Sequence, residues 1–465
     1  MLLVMKFGGV LMDGADNIKR SAKLVVDQLK KGDKVIVVVS AMSGVTDSLF
    51  NLARKAVTGE MDEVERVVSD IEQQHIKAAE QLATPELLPA LKAEIRDLTA
   101  SLSQILTSVS YLKELTDRSL DLIASFGERL SAPLMWAALT SQGVKSIHLT
   151  GGEAGIVTTS DFGAAKPIMS ITERKVKEKL LPLLNQGYTP VVTGFIAADV
   201  NGVITTLGRG GSDYTATILA AALRADEVWI WKDVDGVMTA DPKIVKNAKS
   251  IRSLSYDEAM ELAYFGAKVL HPLTVTPGQE LNIPIRIKNA FNPEFEGTVI
   301  FSIGSKDRVV KAVTSIKNTA IITVGGAGMV GVPSVVARTF EALAKENVDV
   351  LMISQSSSMA NISIVIQKKD LDKALEALKR EFKEGNLVKE ISVKDGVSVV
   401  AVVGEGMKGT PGVAAKVFSA VAERGVNVLM ISQGSSELNI SFAIEEKDLI
   451  TAVNAVHAAF KLGES

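Results

Sequence analysis

The sequence has no cysteine and only four histidines, so several kinds of chemistry are closed to it. Without cysteine there can be no disulfide and no thiolate nucleophile. His75, His148, His271 and His457 are scattered along the chain, without the close spacing that metal-binding histidine pairs show. We therefore expect no dedicated zinc site.

The chain also lacks a large excess of either charge and any long apolar run. A formal net charge of −3 over 465 residues argues against nucleic acid as the main partner. No apolar run approaches the roughly 20 residues that span a bilayer. The short apolar N-terminus has neither a basic lead-in nor a cleavage pattern. We expect no membrane partner and a cytoplasmic location.

An internal repeat occupies the C-terminal third of the sequence. Residues 329–382 align without gaps on 407–460, and about half of the aligned residues are identical. In each copy a β-rich run, at residues 320–324 and 398–403, leads through a glycine loop into a helix. Two strands and a second helix follow. Such βαββα units form a sheet covered by helices on one face, an α+β arrangement. We expect the two units to pair, with an exchange of strands between them left open.

The residues before the repeats alternate strands with helices. Apolar, β-branched runs such as 35–39 suit a sheet that is buried on both faces. The pattern predicts a doubly wound, mainly parallel α/β domain over residues 1–303, with a helical insertion at about 61–142 and two repeat units over 310–388 and 392–463. The predicted strands are Leu3–Phe7, Val35–Ser40, Ser146–Leu149, Thr189–Val192, Glu227–Trp231 and Pro284–Ile287.

Two glycine-rich loops are candidates for anion binding. The string KFGG at residues 6–9 ends the first strand and suits a phosphate, although paired glycines more often form only a tight turn. The string GRGGSD at 208–213 runs into a helix predicted over Tyr214–Leu223. Ser212 or Asp213 could simply cap that helix. A cap requires neither an arginine nor further glycines, so we favour a functional loop.

Two further polar strings attract attention. Residues 231–238 read WKDVDGVM and follow an apolar strand, which is where α/β sheets bind ligands, although a polar loop at a strand end is the simpler interpretation. Residues 125–129 read SFGER within a helical pattern. Taken alone, Glu128 beside Arg129 is typical of a solvated helix face.

In this order and spacing, the four strings resemble the amino acid kinase family and, within it, the aspartate kinases. SAMSGVT at 40–46 and FGAKVLHP at 265–272 carry the same resemblance, and the repeats resemble ACT domains, which bind amino acids at their interfaces. The resemblance implies an amino-acid-kinase-like sheet followed by two ACT-like units. It also implies transfer of the ATP γ-phosphoryl group to the β-carboxylate of L-aspartate, the first step towards lysine, threonine and methionine.

The resemblance also implies roles for single residues. Lys6 would contact the transferring phosphoryl group, with Gly8 and Gly9 donating backbone N–H groups. Arg209 would hold the α-carboxylate of aspartate, and Glu128 its α-ammonium. The remaining substrate positions are Ser40, Thr46 and Ser212, while Asp213 would position both substrate and phosphates. The implied nucleotide positions are Lys6, Phe7, Gly8, Gly9, Lys232, Asp233, Met238, Lys243, Lys268 and Val269. Mg²⁺ is expected with ATP, but its protein ligands are unknown.

The sequence departs from the family pattern beside the phosphates and in the nucleotide loop. Two hydroxyl residues that usually follow KFGG are replaced here by Val10 and Leu11. The usual threonine, tyrosine and arginine of the nucleotide loop are replaced by Lys232, Met238 and Lys243. We still expect activity, because Lys6, Glu128, Arg209 and Asp213 are all present.

The two QSSS-like turns of the repeats resemble the threonine-responsive branch of the family more than the lysine-responsive branch. Gln355 and Gln433 would then contact the effector, although such residues also merely cap turns. Paired ACT units imply a homodimer or homotetramer. The alternatives are another amino acid kinase and a catalytically impaired amino-acid sensor. A bifunctional kinase is disfavoured, because the sequence ends at Ser465, just after the second repeat.

Overall fold

The computed structural model describes residues 1–266, 270–304, 308–357, 360–383 and 387–464. Over these residues the chain forms two compact units. Unit 1 consists of Met1–Val237, Arg252–Tyr256 and Val269–Ile303, and unit 2 of Met238–Ile251, Asp257–Lys268 and Gly304–Ser465. Two segments that precede residue 303 thus cluster with the repeats. The domain boundaries predicted from the sequence, at 1–303, 310–388 and 392–463, stay predictions.

Strands and helices alternate through the first part of the chain. In order they are β1 (Leu2–Phe7), α1 (Gly9–Met12), α2 (Gly14–Lys30), β2 (Lys34–Val39), α3 (Val45–Thr58), α4 (Met61–Leu82), α5 (Leu88–Leu112), α6 (Asp117–Ala124), α7 (Phe126–Thr140), β3 (Ser146–Leu149), β4 (Val157–Thr158), α8 (Met169–Asn185), β5 (Thr189–Thr193), β6 (Ile196–Asp199), β7 (Ile204–Thr206), α9 (Gly211–Leu223), β8 (Glu227–Lys232), β9 (Ser253–Ser255), α10 (Tyr256–Tyr264), α11 (Pro272–Leu281), β10 (Ile285–Asn289) and β11 (Thr298–Phe301).

The main sheet of unit 1 confirms the predicted doubly wound α/β class. Its strand order is β3-β5-β2-β1-β8-β10-β11-β9. Its pairs are parallel except for β10 with β11. The six predicted strands all occur, with ends within two residues of the prediction. The apolar run at residues 35–39 is buried, as expected for a strand inside a sheet that is covered on both faces.

The helices predicted over 61–142 are present as α4 to α7. Val64 and Ile71 of α4 and Leu91 of α5 share one hydrophobic core with Leu3 and Val37 of the sheet. These helices therefore form a layer of unit 1. A smaller sheet, β4-β6-β7, completes this unit. Residues 200–203 join β6 to β7, which pair antiparallel.

The repeats form one antiparallel sheet in unit 2. Its elements are β12 (Ala312–Gly325), α12 (Pro333–Lys345), β13 (Val350–Gln355), β14 (Asn361–Gln367), α13 (Leu371–Glu381), β15 (Glu390–Val403), α14 (Val413–Ala422), β16 (Val428–Gln433), β17 (Asn439–Glu445) and α15 (Leu449–Ala459), with 3-10 turns at Ala327–Met329, Lys368–Asp370, Glu405–Met407 and Glu446–Asp448. The order is β13-β14-β12-β15-β17-β16, so the two repeats pair as expected.

The central strands β12 and β15 are much longer than predicted. The sequence indicated only 320–324 and 398–403, whereas each strand has 14 residues. Polar residues such as Lys317 and Asn318 look like a turn, yet here they lie at a register shift between the two strands. Asn318 has a φ of 55°, which accommodates the irregularity without ending the strand.

Unit 2 also includes a segment from outside the repeats. Ala240 and Val245 pack in one core with Val417 and Val453 of the second repeat. Thr239 Oγ1 and His457 Nε2 lie 3.0 Å apart in that buried region.

Among the described residues, no helix is both long enough and apolar enough to cross a membrane.

Candidate active site

Two lysines and one aspartate meet at the carboxyl edge of the main sheet. The parallel strands β1 and β8 are neighbours and end at Phe7 and Lys232, beside the first turn of α9. Lys6 Nζ lies 2.5 Å from Asp213 Oδ1. Lys232 Nζ donates to Asp213 Oδ2 at 3.0 Å. One carboxylate therefore bridges two ammonium groups at the place where such sheets bind ligands.

The electrostatics of this group favour an anion. Burial acts to raise the pKa of Asp213, but Lys232 and Lys6 outweigh it and lower that pKa to about 2. Burial lowers the pKa of Lys6, and the charge of Asp213 opposes this effect. With two lysines facing one carboxylate beside a helix N-terminus, a phosphate group would supply the missing negative charge.

In the KFGG loop, Gly9 lies in a tighter space than Gly8. A Cβ at Gly8 would lie 3.7 Å from Lys6 Nζ and from the Trp231 carbonyl oxygen. A Cβ at Gly9 would lie 3.2 Å from the Ala41 carbonyl oxygen. The loop therefore passes close to the tip of Lys6, where its backbone can approach a bound group.

Steric limits also define the loop before α9. Gly208 and Gly210 have φ of 73° and 75°, a region that L-residues rarely adopt. A Cβ at Gly210 would lie 2.3 Å from the Cβ of His271, and one at Gly211 would lie 2.8 Å from Phe195 Cδ2. Arg209 is carried between these tight positions and is itself exposed.

Helix α9 begins three residues earlier than predicted, and its N-cap is Gly210. Ser212 and Asp213 therefore lie inside the first turn, and the interpretation of either residue as the N-cap is wrong. Both side chains are buried. Gly194 leaves room for Ser212, since a Cβ there would lie 2.6 Å from the Ser212 Cβ. The early start places the Asp213 carboxylate beside Lys6 and Lys232.

The interpretation of Glu128 as part of a solvated helix face is also wrong. Its side chain is only 3% exposed, because the start of α7 packs against the loop that follows β2. A Cβ at Gly127 would lie 2.8 Å from the Ala41 Cβ and 3.6 Å from Thr46 Oγ1. Helical periodicity missed this contact because the consecutive residues 126–128 are all buried.

Glu128 carries a carboxyl group ready for a cation. Burial raises its pKa to about 8, against the opposing effects of the Ala41 backbone N–H and of Lys6. Within the described part of the chain, Glu128 Oε2 has no hydrogen-bond partner. A buried polar atom of this kind is costly unless a ligand satisfies it.

The remaining predicted residues fall into three groups. Ser40 and Thr46 are half-buried on the loop that contacts Gly127, and Asp233 is exposed directly after Lys232. Met238 and Lys243 belong to unit 2, as do Gln355 and Gln433, which are exposed at the same position of strands β13 and β16. Lys268 and Val269 lie outside the described residues.

Sequence reasoning missed the side chains that brace these loops. Asp235 Oδ1 accepts hydrogen bonds from Asn289 Nδ2 at 2.9 Å and Asn292 Nδ2 at 3.2 Å, which fixes the loop after β8. His271 lies against Gly210, and its pKa is lowered by burial and then by Arg209. The Asp-Gly turn at 235–236 was a usable signal, but nothing local links it to β10.

Among the described residues, no group of three or more His, Cys, Asp or Glu side chains could hold a metal ion. Both oxygens of Asp213 already face ammonium groups. The residues present therefore do not fit a resident divalent cation, and a Mg²⁺ ion would arrive on the phosphates of its nucleotide.

Comparison with known proteins identifies the family. The amino acid kinase family model matches residues 1–289, and the ACT domain model matches residues 322–382 and 400–460. The chloroplastic bifunctional aspartokinase/homoserine dehydrogenase 2 of Arabidopsis thaliana is 34% identical over 474 residues, covering 100% of this chain and 51% of that protein. The chain thus spans about half the length of such relatives.

Monofunctional relatives match over most of both chains. Chloroplastic aspartokinase 2 of Arabidopsis thaliana is 35% identical over 470 residues, covering 98% of this chain and 84% of the relative. The crystal structure of E. coli aspartokinase III with aspartate and ADP (R-state) has a TM-score of 0.86 at 29% identity and covers 99% of this chain and 100% of its own. The same enzyme with lysine and aspartate (T-state) gives 0.80 at 29% identity, covering 99% of both chains. The chain belongs to the amino acid kinase family and, within it, to the aspartokinases.

Proposed function

We propose that unit 1 transfers the γ-phosphoryl group of ATP to the β-carboxylate of L-aspartate, giving 4-phospho-L-aspartate. The observation that carries this proposal is the Lys6–Asp213–Lys232 group at the start of α9, in which Lys6 and Asp213 are buried and Lys232 is half-buried. It supplies positive charge at one point of a site that also contains the unsatisfied carboxyl group of Glu128.

In the proposed reaction, an oxygen of the β-carboxylate forms a bond to the γ-phosphorus while the bond to the ADP oxygen breaks. No proton needs to move, because the β-carboxylate is ionised near neutral pH. Lys6 stabilises the charge on the transferring group, and the backbone of Gly8 and Gly9 lies beside it. Asp213 holds both lysines in place, so the rate enhancement comes from alignment and electrostatics.

Aspartate would be held at both ends of its backbone. Arg209 binds the α-carboxylate, for which the planar guanidinium fork is suited. Glu128 binds the α-ammonium, which satisfies its free oxygen and favours its ionised form. Ser40, Thr46 and Ser212 line the same pocket.

ATP would use the loops at the ends of β1 and β8. Lys6 to Gly9, Lys232 and Asp233 are the proposed contacts within unit 1, and Met238, Lys243, Lys268 and Val269 follow from the family pattern. Relatives support the nucleotide, since E. coli aspartokinase III was crystallised with aspartate and ADP. Mg²⁺ would enter with ATP and neutralise phosphate charge.

Threonine is the proposed effector, with lysine as the other candidate. Gln355 and Gln433 would contact it, because both are exposed at the end of equivalent strands. The T-state structure of the E. coli relative contains lysine, so the test must compare the two amino acids. Initial rates with ATP and aspartate should fall with millimolar threonine, and an effect of lysine alone would overturn this choice.

Assembly into a homodimer or homotetramer through unit 2 is also proposed. Ile353 and Ile431 are 45% and 48% exposed on β13 and β16, the outer strands of that sheet. Outer strands with exposed apolar side chains favour pairing with another chain. Light scattering at several protein concentrations would detect the assembly, and a strictly monomeric mass would contradict it.

A catalytically impaired amino-acid sensor is the second candidate. Val10 is 44% exposed next to the two glycines, where the family usually carries a hydroxyl residue. Such a protein would bind threonine in calorimetry yet form no phosphorylated product.

A hydroxylamine trap distinguishes the two functions. With ATP and aspartate, the wild-type protein should form aspartyl hydroxamate, and Lys6→Ala should not. Lys19→Ala, which removes an exposed lysine of α2, is the matched control and should retain the activity. Threonine binding without any hydroxamate from the wild-type protein would favour the sensor.

A further inference from the structure

A carboxylate that no proposed step uses lies buried in α6. Asp121 is only 2% exposed. Both of its oxygens accept a hydrogen bond from the Gly163 backbone N–H at 3.0 Å. Oδ2 also accepts from the Thr206 N–H at 2.9 Å, and Oδ1 from Thr206 Oγ1 at 2.7 Å. Three neutral donors thus converge on one acidic side chain.

An acidic residue is an expensive way to fill such a position. A buried carboxylate loses its hydration, and neutral donors replace it only in part. Burial accordingly raises the pKa of Asp121, and the bonds from Thr206 and Gly163 oppose that rise. What a carboxylate offers here is acceptance alone, since both oxygens can receive backbone N–H groups at once.

The donors come from two segments that are distant in sequence. Gly163 lies on the turn between β4 and α8, 42 residues from Asp121, and Thr206 ends β7, 85 residues away. These segments also touch each other, because Ala165 N donates to the Thr206 carbonyl oxygen at 2.9 Å. Asp121 therefore fastens three parts of unit 1 at one point.

That point is the start of the loop that carries Arg209. The loop leaves Thr206 directly, and a Cβ at Gly208 would lie 3.2 Å from the Gly163 carbonyl oxygen. At its other end the loop is limited by His271 at Gly210. Since Arg209 is exposed, the direction of its side chain depends on the backbone between these two anchors.

We propose that Asp121 is a positioning residue for Arg209: its carboxylate clamps Thr206 and Gly163 and thereby sets the affinity for the α-carboxylate of aspartate. The inference rests on the proposed function of the site. Asp121 itself touches no substrate.

Asp121→Asn tests the clamp with little change in shape. The amide replaces one acceptor oxygen by a donor, so at least one backbone N–H faces an N–H group. We expect the KM for aspartate to rise about tenfold or more, as loss of a buried hydrogen-bond partner typically does. The KM for ATP should change less than twofold. Thr206→Val removes only the hydroxyl donor and should raise the KM for aspartate by less. Thr206→Ser keeps that hydroxyl and should retain the wild-type KM.

Asp199→Asn is the matched control. Asp199 is also buried and accepts hydrogen bonds from Asn201 N at 2.8 Å, Val203 N at 2.9 Å and Ser160 Oγ at 2.9 Å. It therefore joins the β6–β7 turn to the segment after β4, but none of these donors is Thr206 or Gly163. This variant should lower the melting temperature as Asp121→Asn does while leaving the KM for aspartate unchanged.

Hydrogen exchange of the loop amides separates this inference from the proposed function. Asp121→Asn should speed exchange over residues 207–211, and Asp199→Asn should not, whatever the wild-type protein phosphorylates. Wild-type protein without aspartate kinase activity would overturn the proposed function, and unchanged loop exchange in Asp121→Asn would overturn the clamp. A KM for aspartate that stays at the wild-type value in both Asp121→Asn and Thr206→Val would also overturn the clamp. If Asp121→Asn does not fold, the KM of Thr206→Val alone decides.

Discussion

The starts of α7 and α9 each place a buried acidic side chain in the first turn of a helix, but the two carboxyl groups behave in opposite ways. Burial raises the pKa of Glu128 to about 8. Asp213 is just as buried, yet its pKa is lowered to about 2. Because both groups lie at a helix N-terminus, the helix dipole does not explain the difference.

The difference follows from the cations in contact with each carboxyl group. Asp213 has an ammonium group within 3.0 Å of each oxygen. The charge of Lys6 lowers the pKa of Glu128 only weakly, with less effect than burial or the backbone N–H groups have. The start of α9 thus contains an ionised carboxylate between two lysines, whereas the start of α7 contains a neutral carboxyl group that a nearby ammonium would ionise.

Among the variants proposed here, Lys6→Ala should cause the largest loss of kcat. Lys6→Ala leaves Asp213 with Lys232 alone and removes the charge nearest to Gly8. We expect kcat to fall by about 10²- to 10³-fold or more, as for loss of one transition-state donor. Initial rates of ADP release with saturating aspartate measure this effect, and a fall of less than tenfold would contradict the role of Lys6.

Glu128→Gln should change how the reaction with aspartate depends on pH. Below about pH 8 the ligand-free carboxyl group holds a proton that must leave before it can pair with an ammonium. For the wild-type protein, kcat/KM for aspartate should therefore rise about tenfold per pH unit until it levels near that pH. At high pH, kcat/KM for aspartate should be about 100-fold lower in the variant than in the wild-type protein, and it should not rise with pH. An equal slope in both proteins would assign the titration elsewhere.

Lys232→Ala should have a smaller effect than loss of Lys6, because the Lys6–Asp213 pair remains. We expect about a tenfold fall in kcat with a rise in the KM for ATP. Lys232→Thr, which introduces the residue usual in the family, is the informative companion variant. A loss as large as that of Lys6→Ala would show that the two lysines act as one unit.

The smallest expected effect is on stability. Because the folded-state pKa of Glu128 is about 8 and its usual value is 4.5, its contribution to stability is present below the usual value and is lost as pH rises through 8. Asp213 acts oppositely, and its contribution is lost as pH falls from 3.8 towards 2. Between pH 5 and 8, Glu128→Gln should remove a slope of up to about 1.4 kcal/mol per pH unit. Urea unfolding of the ligand-free protein measures it, and parallel pH profiles of the two proteins would refute it.

Local patterns in the sequence predicted most of the sheet that supports the site. Residues 35–39 matched the structure because an apolar, β-branched run of that length suits a strand that is buried on both faces of a sheet. Likewise, the identical VLMISQ runs of the repeats have identical burial patterns. Elements whose character depends on near neighbours in sequence are readable in this way.

The chemistry of the site depended on distant neighbours and was less readable. Burial of Glu128 results from contact of Gly127 with Ala41, which no local pattern reveals. The early start of α9 depends on the left-handed conformation of Gly210 beside His271. Resemblance to the family motifs identified the site residues as candidates. The fold shows that Lys6 and Lys232 are the ones in contact with Asp213.

We propose that the Lys6–Asp213–Lys232 group directs phosphoryl transfer to aspartate. Phosphorus NMR of the wild-type protein with ATP and aspartate tests it most directly. We predict an acyl phosphate resonance that depends on aspartate, grows with ADP and is absent with Lys6→Ala. ADP formation without that resonance, or the same resonance at the same rate from Lys6→Ala, would contradict the account.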